Sequence, residues 1–244
     1  MDLRKGFHEP VEKPRRFYKA VTVVEADGGF GVQLDGRNLR TPKARMMVLP
    51  TRAAAEQVAA EWAGQGKTLE MATMHATRLA NTAIETIGSN SEGVADQVAQ
   101  YAGSDLLCYF AEAPAALVAR QEAAWAPLLA RSAAEEGVRL ARCAGILHRD
   151  QPAASLARVR EVALSLDDFA LAGLAFGASL FGSAVLAIAL LRGWLSADEA
   201  IDLSRLDEAF LEEQWGIDEE AAERTTRLRG EARMLGRWLE ALRA

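Results

Sequence analysis

Acidic side chains crowd one stretch of the sequence, between Ser196 and Arg224. From Ala197 to Glu223 a single basic residue, Arg205, stands among eleven carboxylates. The carboxylates belong to Asp198, Glu199, Asp202, Asp207, Glu208, Glu212, Glu213, Asp218, Glu219, Glu220 and Glu223. Groups of this kind can exchange protons with a substrate or attract a basic partner by charge. The neighbouring residues indicate which of the two uses is favoured.

The apolar residues among these carboxylates favour recognition over catalysis. General acid–base chemistry needs a pair of carboxyl groups in a pocket that separates their pKa values, whereas a crowded acidic face supplies only charge. Acidic groups next to Phe210 and Trp215 are suited to attract a basic partner and then to pack against it. A tryptophan is a frequent anchor in such contacts. Two alternatives stay open: a solvated acidic face without a partner, and Trp215 as a buried residue between helices.

The candidate partner-binding residues follow from this interpretation. They are Glu208, Glu212, Trp215, Asp207, Glu213 and Phe210. Glu208, Glu212 and Trp215 are spaced as i, i+4 and i+7, so a helix places them on one side. Like charges four residues apart repel mildly, so we expect a basic partner for them, inside the chain or outside it.

The acidic stretch predicts two helices that meet near residue 215. Ser196 and Glu199 are spaced as a capping box, so the first helix should begin at Ser196. Gly216 should end it, because glycine tolerates the left-handed conformation that closes helices. Its buried face is predicted to hold Leu203, Leu206 and Phe210. Asp218 then caps a last helix that extends to about residue 242.

Composition and charge exclude some classes of protein. The chain has 244 residues, of which 50% are hydrophobic and 25% charged, which is ordinary for a soluble globular protein. A net charge of −6 argues against a nucleic-acid-binding protein, which needs a basic surface. Cys108 and Cys143 form no CxxC pair and predict buried, reduced thiols. No signal-peptide pattern stands at residues 1–17, so we expect a cytoplasmic bacterial protein, working as a monomer.

Other motifs do not support catalysis, a metal or a cofactor. The GQGKT run at residues 64–68 resembles the end of a phosphate-binding loop, but Glu61 stands where that motif needs its first glycine. The glycines at 28–36 precede a hairpin and form no dinucleotide fingerprint. Cys143 and His148 are too few ligands for zinc, and no activated nucleophile is recognisable. We therefore predict no catalytic residue, no metal ligand and no cofactor.

The predicted fold is α+β, in three parts. Residues 1–16 are expected to form a flexible arm, because they are polar and contain two prolines. Residues 17–76 are predicted to form a small, mainly antiparallel β domain, since β-branched segments flank Asp-Gly turns and Thr51 caps a short helix. Residues 77–244 are predicted to form a larger, all-α helical domain.

One uncharged stretch, residues 169–191, is long enough to cross a membrane. Gly173 and Gly177 even give the spacing of helix pairs in membranes. The stretch is only moderately apolar, however, because it is rich in alanine, glycine and serine. We therefore predict two buried core helices, broken around Gly182 and Ser183 with Ser183 capping the second, and no membrane insertion.

Several short motifs, taken in order, resemble the assembly chaperone of the ATP synthase F(1) alpha subunit. They are FYKAV at 17–21, LDGR at 34–37, TP at 41–42, LPT at 49–51, AEW at 60–62, TRLANTA at 77–83, SDLLCY at 104–109, Gln121, Trp125 and Pro127, GS at 182–183, and WG at 215–216. Each motif is weak alone, but the series is specific and spans residues 16–237. Leu211, His75 and Glu85 depart from the residues that are usual in that family.

The resemblance implies a non-catalytic protein with an N-terminal β domain and a C-terminal helical domain. It implies transient binding of the unassembled alpha subunit, masking the surface that alpha presents to beta. The family's functionally important glutamate precedes the Trp-Gly pair by seven residues, which corresponds to Glu208. The resemblance also implies a cytoplasmic location in bacteria and the mitochondrial matrix for eukaryotic relatives.

A second hypothesis is a small-molecule enzyme that uses the carboxylates around Glu208 on a basic substrate. It requires a closed pocket and at least one carboxyl group with a strongly shifted pKa. A third is a peripheral membrane protein that uses residues 169–191. The enzyme hypothesis requires a closed pocket around Glu208, and the membrane hypothesis requires that residues 169–191 contact lipid; the chaperone hypothesis requires neither.

Overall fold

The computed structural model describes residues 13–145 and 147–244. A small antiparallel sheet comes first along the chain and helices make up most of the remainder, which confirms the predicted α+β class. The strands are β1 (Val21–Ala26), β2 (Gly29–Leu34), β3 (Arg37–Asn38), β4 (Val48–Leu49), β5 (Tyr109–Phe110) and β6 (Cys143–Ala144). The helices are α1 (Arg52–Ala63), α2 (His75–Thr82), α3 (Gly88–Gly103), α4 (Ala115–Arg131), α5 (Ala153–Leu164), α6 (Asp168–Phe181), α7 (Ala184–Leu191), α8 (Ala197–Ser204), α9 (Leu206–Trp215) and α10 (Glu219–Ala241).

The N-terminal sheet is built around β2. β1 pairs antiparallel with the whole of β2, and β3 and β4 each pair with part of it. The turn from β2 to β3 has Asp35 at φ 49° and Gly36 at φ 77°, so the predicted Asp-Gly turn has the two positive φ values of type I′. α1 begins after Thr51, whose side chain accepts from the Ala54 amide as predicted.

Residues near the predicted domain boundary hold the sheet to the helices. The Glu61 carboxylate on α1 accepts from the amides of Ala76 (2.7 Å) and Thr77 (2.8 Å) at the start of α2. The Thr51 hydroxyl donates to the carbonyl of Ala241 at the end of α10 (2.6 Å). One hydrophobic core includes residues from both parts. The boundary at residue 76 stays a prediction.

The predicted N-terminal arm is described only at its end. Residues 1–12 lie outside the described residues. Residues 13–16 run beside 67–70: the Arg16 amide donates to the Lys67 carbonyl (2.9 Å), and the Leu69 amide donates to the Pro14 carbonyl (2.8 Å). Lys13 adds an ion pair with Glu70 (2.7 Å).

The uncharged stretch forms the two core helices that the sequence predicts. α6 ends at Gly182, which has a positive φ of 62°, and the Ser183 side chain accepts from the Leu186 amide (3.0 Å) to cap α7. Residues 184–190 of α7 are all buried. Within the described part of the chain, no helix has both the length and the apolar character needed to span a bilayer.

Small residues on α6 allow α10 to approach closely. A Cβ atom added at Gly173 would lie 2.8 Å from Cδ2 of Leu239, and one at Gly177 would lie 3.0 Å from Cδ2 of Leu235. The indole of Trp238 also donates to the Phe169 carbonyl (3.2 Å). α10 therefore closes the helical core over α6.

The single helix predicted over residues 196–215 is wrong, because the chain forms two helices there. The predicted capping box of Ser196 and Glu199 is present and begins α8. The helix then breaks at Arg205 (φ −115°, ψ 20°). The Ser204 hydroxyl donates to the Ile201 carbonyl (2.9 Å), and the Arg205 amide donates to the Asp202 carbonyl (3.3 Å) instead. A local side-chain hydrogen bond thus replaces the helical one, and α9 begins at Leu206 as a separate helix.

Candidate functional site

Three of the six predicted binding residues fasten α9 to α4. Asp207 accepts from the Gln121 side chain (2.7 Å), and Glu213 forms a two-bond ion pair with Arg120 (2.7 and 2.8 Å). Phe210 is buried between them, with the Arg120 guanidinium 5.3 Å from its ring centre. These side chains serve the packing of α9 within the protein.

The break before α9 contributes to the same attachment. It leaves the Leu203 carbonyl free to accept from the indole of Trp125 on α4 (3.1 Å). Leu206 is buried together with Phe210, as predicted, whereas Leu203 is only partly buried. Side chains of α4 therefore decide which face of α9 turns inwards.

The other three predicted residues lie on the outer side of α9. Trp215 is 86% exposed, so the alternative of a buried residue between helices is wrong. Glu208 is exposed, and within residues 13–145 and 147–244 it has no ion pair. Glu212 is half-buried and pairs with Arg205 (2.8 Å), the internal basic partner that its spacing leads one to expect.

Two apolar residues that sequence reasoning missed enlarge this outer side. Leu211 is 54% exposed and lies one helical turn before Trp215, and Ile217 just beyond the helix is 51% exposed. The signal was available for Leu211, because a residue next to buried Phe210 cannot share its face of a helix. We call the three residues Leu211, Trp215 and Ile217 the α9 tip.

The environment of the carboxylates differs between the two sides of α9. Burial raises the pKa of Asp207, an effect that the nearby Glu208 adds to and the Gln121 hydrogen bond opposes. The hydrogen bond from Arg120 lowers the pKa of Glu213. Both shifts belong to groups that have internal partners. Such an arrangement fits attachment of a helix, not proton transfer to a substrate.

Glu208 also lines an open groove of about 590 Å³ between α9, α10 and the end of α6. Arg205 and Arg224 line it beside Glu208, and Phe176 and Leu180 contribute apolar surface. The groove is not the closed pocket that the enzyme hypothesis requires. Across residues 13–145 and 147–244, no three metal-ligating side chains come together.

The remaining motifs have structural roles. Gly64 ends α1, and Lys67 beyond it pairs through its carbonyl with residue 16, so the GQGKT run follows a helix and not a strand. Cys108 and Cys143 are free and buried. Burial raises the pKa of Cys108 to about 12, which keeps it a thiol at neutral pH. His148 is hydrogen-bonded to the Tyr109 hydroxyl (3.0 Å).

Known proteins share this fold and much of the sequence. Residues 15–133 match the model of the ATP12 chaperone protein family. Atp12 from Paracoccus denitrificans is 37% identical, with 94% of this chain and 98% of that chain covered and a TM-score of 0.86. Atu1473 from Agrobacterium tumefaciens, described as a chaperone candidate, is 42% identical, with 94% and 86% covered and a TM-score of 0.88.

A curated relative extends the comparison to a eukaryote. Protein atp12, mitochondrial, from Schizosaccharomyces pombe is 26% identical over 228 residues, which cover 88% of this chain and 78% of the relative. The family model is named for a chaperone, and none of these proteins carries the name of an enzyme. Identity to the Paracoccus protein over almost the full length of both chains, together with the family match, shows that this chain belongs to the ATP12 chaperone family.

Proposed function

We propose that the protein is an assembly chaperone of ATP synthase that binds the unassembled alpha subunit of F(1) and masks its beta-facing surface. The outer side of α9 is the proposed contact, with Glu208, Glu212 and the α9 tip. The observation that carries the proposal is the exposure of Trp215, 86%, on the same side of a helix as a carboxylate without an ion pair in the described chain. Asp207, Phe210 and Glu213 support this contact indirectly, by holding α9 against α4.

The physical properties of this surface suit transient binding. Full burial of a large apolar side chain contributes about 1.5–3 kcal/mol, so the α9 tip offers a few such contributions against an association cost of about 4–15 kcal/mol. The gain and the cost are of similar size, so the α9 tip alone gives weak, reversible binding, and charge around Glu208 speeds the encounter. Masking then works by mass action, and the beta subunit can displace the chaperone once it is present.

The proposal extends to the location of the protein and to the number of copies that bind alpha. Two free, buried thiols are consistent with a reducing compartment, and we place the protein in the bacterial cytoplasm. For eukaryotic relatives the mitochondrial name of the Schizosaccharomyces pombe protein supports the mitochondrion. We expect one copy of the chaperone to bind one alpha subunit.

The test is co-expression with the F(1) alpha subunit of the same organism, followed by affinity capture and measurement of Kd. Wild-type protein is expected to hold alpha in solution, and Glu208→Lys and Trp215→Ala are each expected to weaken binding by tenfold or more. Glu56→Lys is the charge-matched control, because Glu56 is exposed on α1.

The outcomes separate the function from the site. If wild-type protein captures no alpha, the proposed function is wrong. If Glu208→Lys remains folded by circular dichroism and binds alpha as tightly as Glu56→Lys does, alpha is still the partner but Glu208 is not part of the contact.

A further inference from the structure

Glu208 stands at one end of a groove that is longer than the outer side of α9. The 590 Å³ groove shares Ser104 and Ser179 with a cavity of about 410 Å³ along α3. At its other end it shares Arg205, Glu208 and Arg224 with a cavity of about 270 Å³ towards α10. The shared residues place the three cavities side by side, and we call the surface they form, from the end of α3 across α6 to the start of α10, the trough.

The middle of this trough is apolar because α6 is left uncovered there. Phe176 and Leu180 lie one helical turn apart on α6 and are only partly buried, with Ser179 exposed between them. Ile201 and Leu228 line the opposite wall, from α8 and α10. The uncharged stretch thus forms both the core of the helical part and one face that is open to solvent.

The two ends of the trough differ in charge. The α10 end carries Glu208, Asp218 and Glu220, whereas Glu231 lies further along α10, beside Leu228. Against these, Arg224 is the cation that has no ion pair within the described chain, since Arg205 is already paired with Glu212. The α3 end is neutral, with Gln97, Gln100 and Tyr101. The trough is therefore polarised from neutral to acidic along its length.

We propose that this trough binds one continuous segment of the client polypeptide, with apolar side chains on the α6 floor and a lysine or arginine at the Glu208 end. This rests on the proposed function, because the client is the alpha subunit named there. Charge complementarity selects the occupant: a basic end gains attraction from the three carboxylates of Glu208, Asp218 and Glu220, and an acidic end is repelled. The neutral amides and hydroxyls at the α3 end can hydrogen-bond to the client backbone.

The α9 tip and the trough then have separate tasks. The tip covers apolar surface from outside, while the trough holds a segment in a fixed direction set by its charged end. Variants in the trough that lie away from α9 therefore distinguish the two contacts.

The test uses Ser179→Trp, which fills the trough, and Glu220→Lys, which reverses charge at its acidic end. Ser179 is exposed, so the variant is expected to fold normally, and Ser89→Trp at an exposed position near the start of α3 is the matched control. Binding is measured to the free alpha subunit and to two synthetic twelve-residue peptides of leucine and alanine, one ending in two lysines and the other in two glutamates. Ser179→Trp and Glu220→Lys are expected to weaken binding of alpha and of the lysine peptide by tenfold or more.

A photocrosslinking amino acid at position 179 gives a second readout that does not depend on loss of binding. It is expected to form an adduct with alpha, and the same amino acid at position 89 is expected to form none.

The results of this test distinguish failure of the trough proposal from failure of the proposed function. If wild-type protein binds alpha but Ser179→Trp binds it as tightly as Ser89→Trp, the trough proposal is overturned and the function stands. If the glutamate peptide binds as tightly as the lysine peptide, the proposal that the occupant has a basic end is overturned. A wild-type dimer that Ser179→Trp dissociates assigns the trough to a second copy of this chain and also overturns the proposal.

Discussion

Two helix pairs, α6–α7 and α8–α9, are each interrupted at one point, yet their surroundings are opposite. Residues 184–190 of α7 are all buried, whereas in α9 only Leu206 and Phe210 are buried. The first pair is fixed by close packing, and the second is held on its inner side by hydrogen bonds and an ion pair. Close packing fixes α6–α7 and leaves no side chain of residues 184–190 accessible. Polar contacts on one side hold α9, so apolar side chains on its other side stay accessible.

The largest expected effect comes from comparing two tryptophans. Trp238→Ala is expected to lower the free energy of unfolding by about 3–5 kcal/mol, because this fully buried side chain packs on α6. Trp215→Ala is expected to change it by less than about 0.5 kcal/mol, because its indole is 86% exposed. Urea denaturation of both variants measures the contrast. Similar losses in the two would mean that α9 is part of the packed core.

The second prediction concerns Asp105, which accepts from the Val185 amide at the start of α7 (3.0 Å) and from the Leu107 amide (3.1 Å). Burial raises its pKa from 3.8 to about 6 in spite of these hydrogen bonds. The folded state therefore holds the proton more tightly than the unfolded state. The resulting stabilisation is complete below pH 3.8 and is lost as the pH rises through 6.

The difference between these pKa values corresponds to about 3 kcal/mol. Asp105→Asn does not titrate at this position, so the unfolding free energy of the parent minus that of the variant is expected to fall by most of this amount between pH 4 and pH 7. Urea denaturation at several pH values measures the difference. A constant or rising difference would show that the amide donors to Asp105 outweigh its burial.

The third prediction tests the close contact of α6 and α10. Gly173→Ala is expected to lower the free energy of unfolding by about 1–2 kcal/mol, because the new Cβ would lie 2.8 Å from a buried leucine methyl group. Gly230→Ala on α10 is the matched control, since a Cβ there meets nothing within 4 Å. This control is expected to gain about 0.5–1 kcal/mol from helix propensity. Thermal melts of both variants measure the contrast. A higher melting temperature for Gly173→Ala than for the parent would contradict the packing argument.

The smallest effect is expected at the polar attachment of α9. Glu213→Gln removes an exposed ion pair with Arg120, and pairs of this kind contribute little to stability. The melting temperature is expected to fall by no more than about 2 °C at low salt, and the difference from the parent should disappear near 1 M salt. A large loss that persists in salt would mean that α9 is held as firmly as α7.

Local signals were enough to predict much of the fold. The Asp35-Gly36 turn, the Thr51 cap and the break at Gly182-Ser183 each depend on residues within a few positions of one another. Such signals act through the backbone of their own neighbours, so they are visible in one sequence. The predicted strands, buried helices and capping box followed from them.

Contacts between distant residues could not be predicted in the same way. The break at Arg205 coincides with a carbonyl that bonds to Trp125, and the inner face of α9 is chosen by Gln121, which is 86 residues away from Asp207. Half of the predicted site residues therefore proved to face α4. The trough needs walls from five helices, and no pattern along the chain brings those walls together.

The hydrogen bond between Thr51 and Ala241 joins residues 190 positions apart. Because α10 is the last helix of the chain, this bond and the packing of α10 on α6 can form only at the end of synthesis. α6 emerges from the ribosome before α10, which covers it, has been translated. At about 5–20 residues per second, the stretch between the ends of α6 and α10 takes roughly 3–12 s to synthesise. For that time the nascent chain exposes a mostly apolar helix that is prone to aggregate, so a member of a chaperone family itself passes through a stage in which it needs protection.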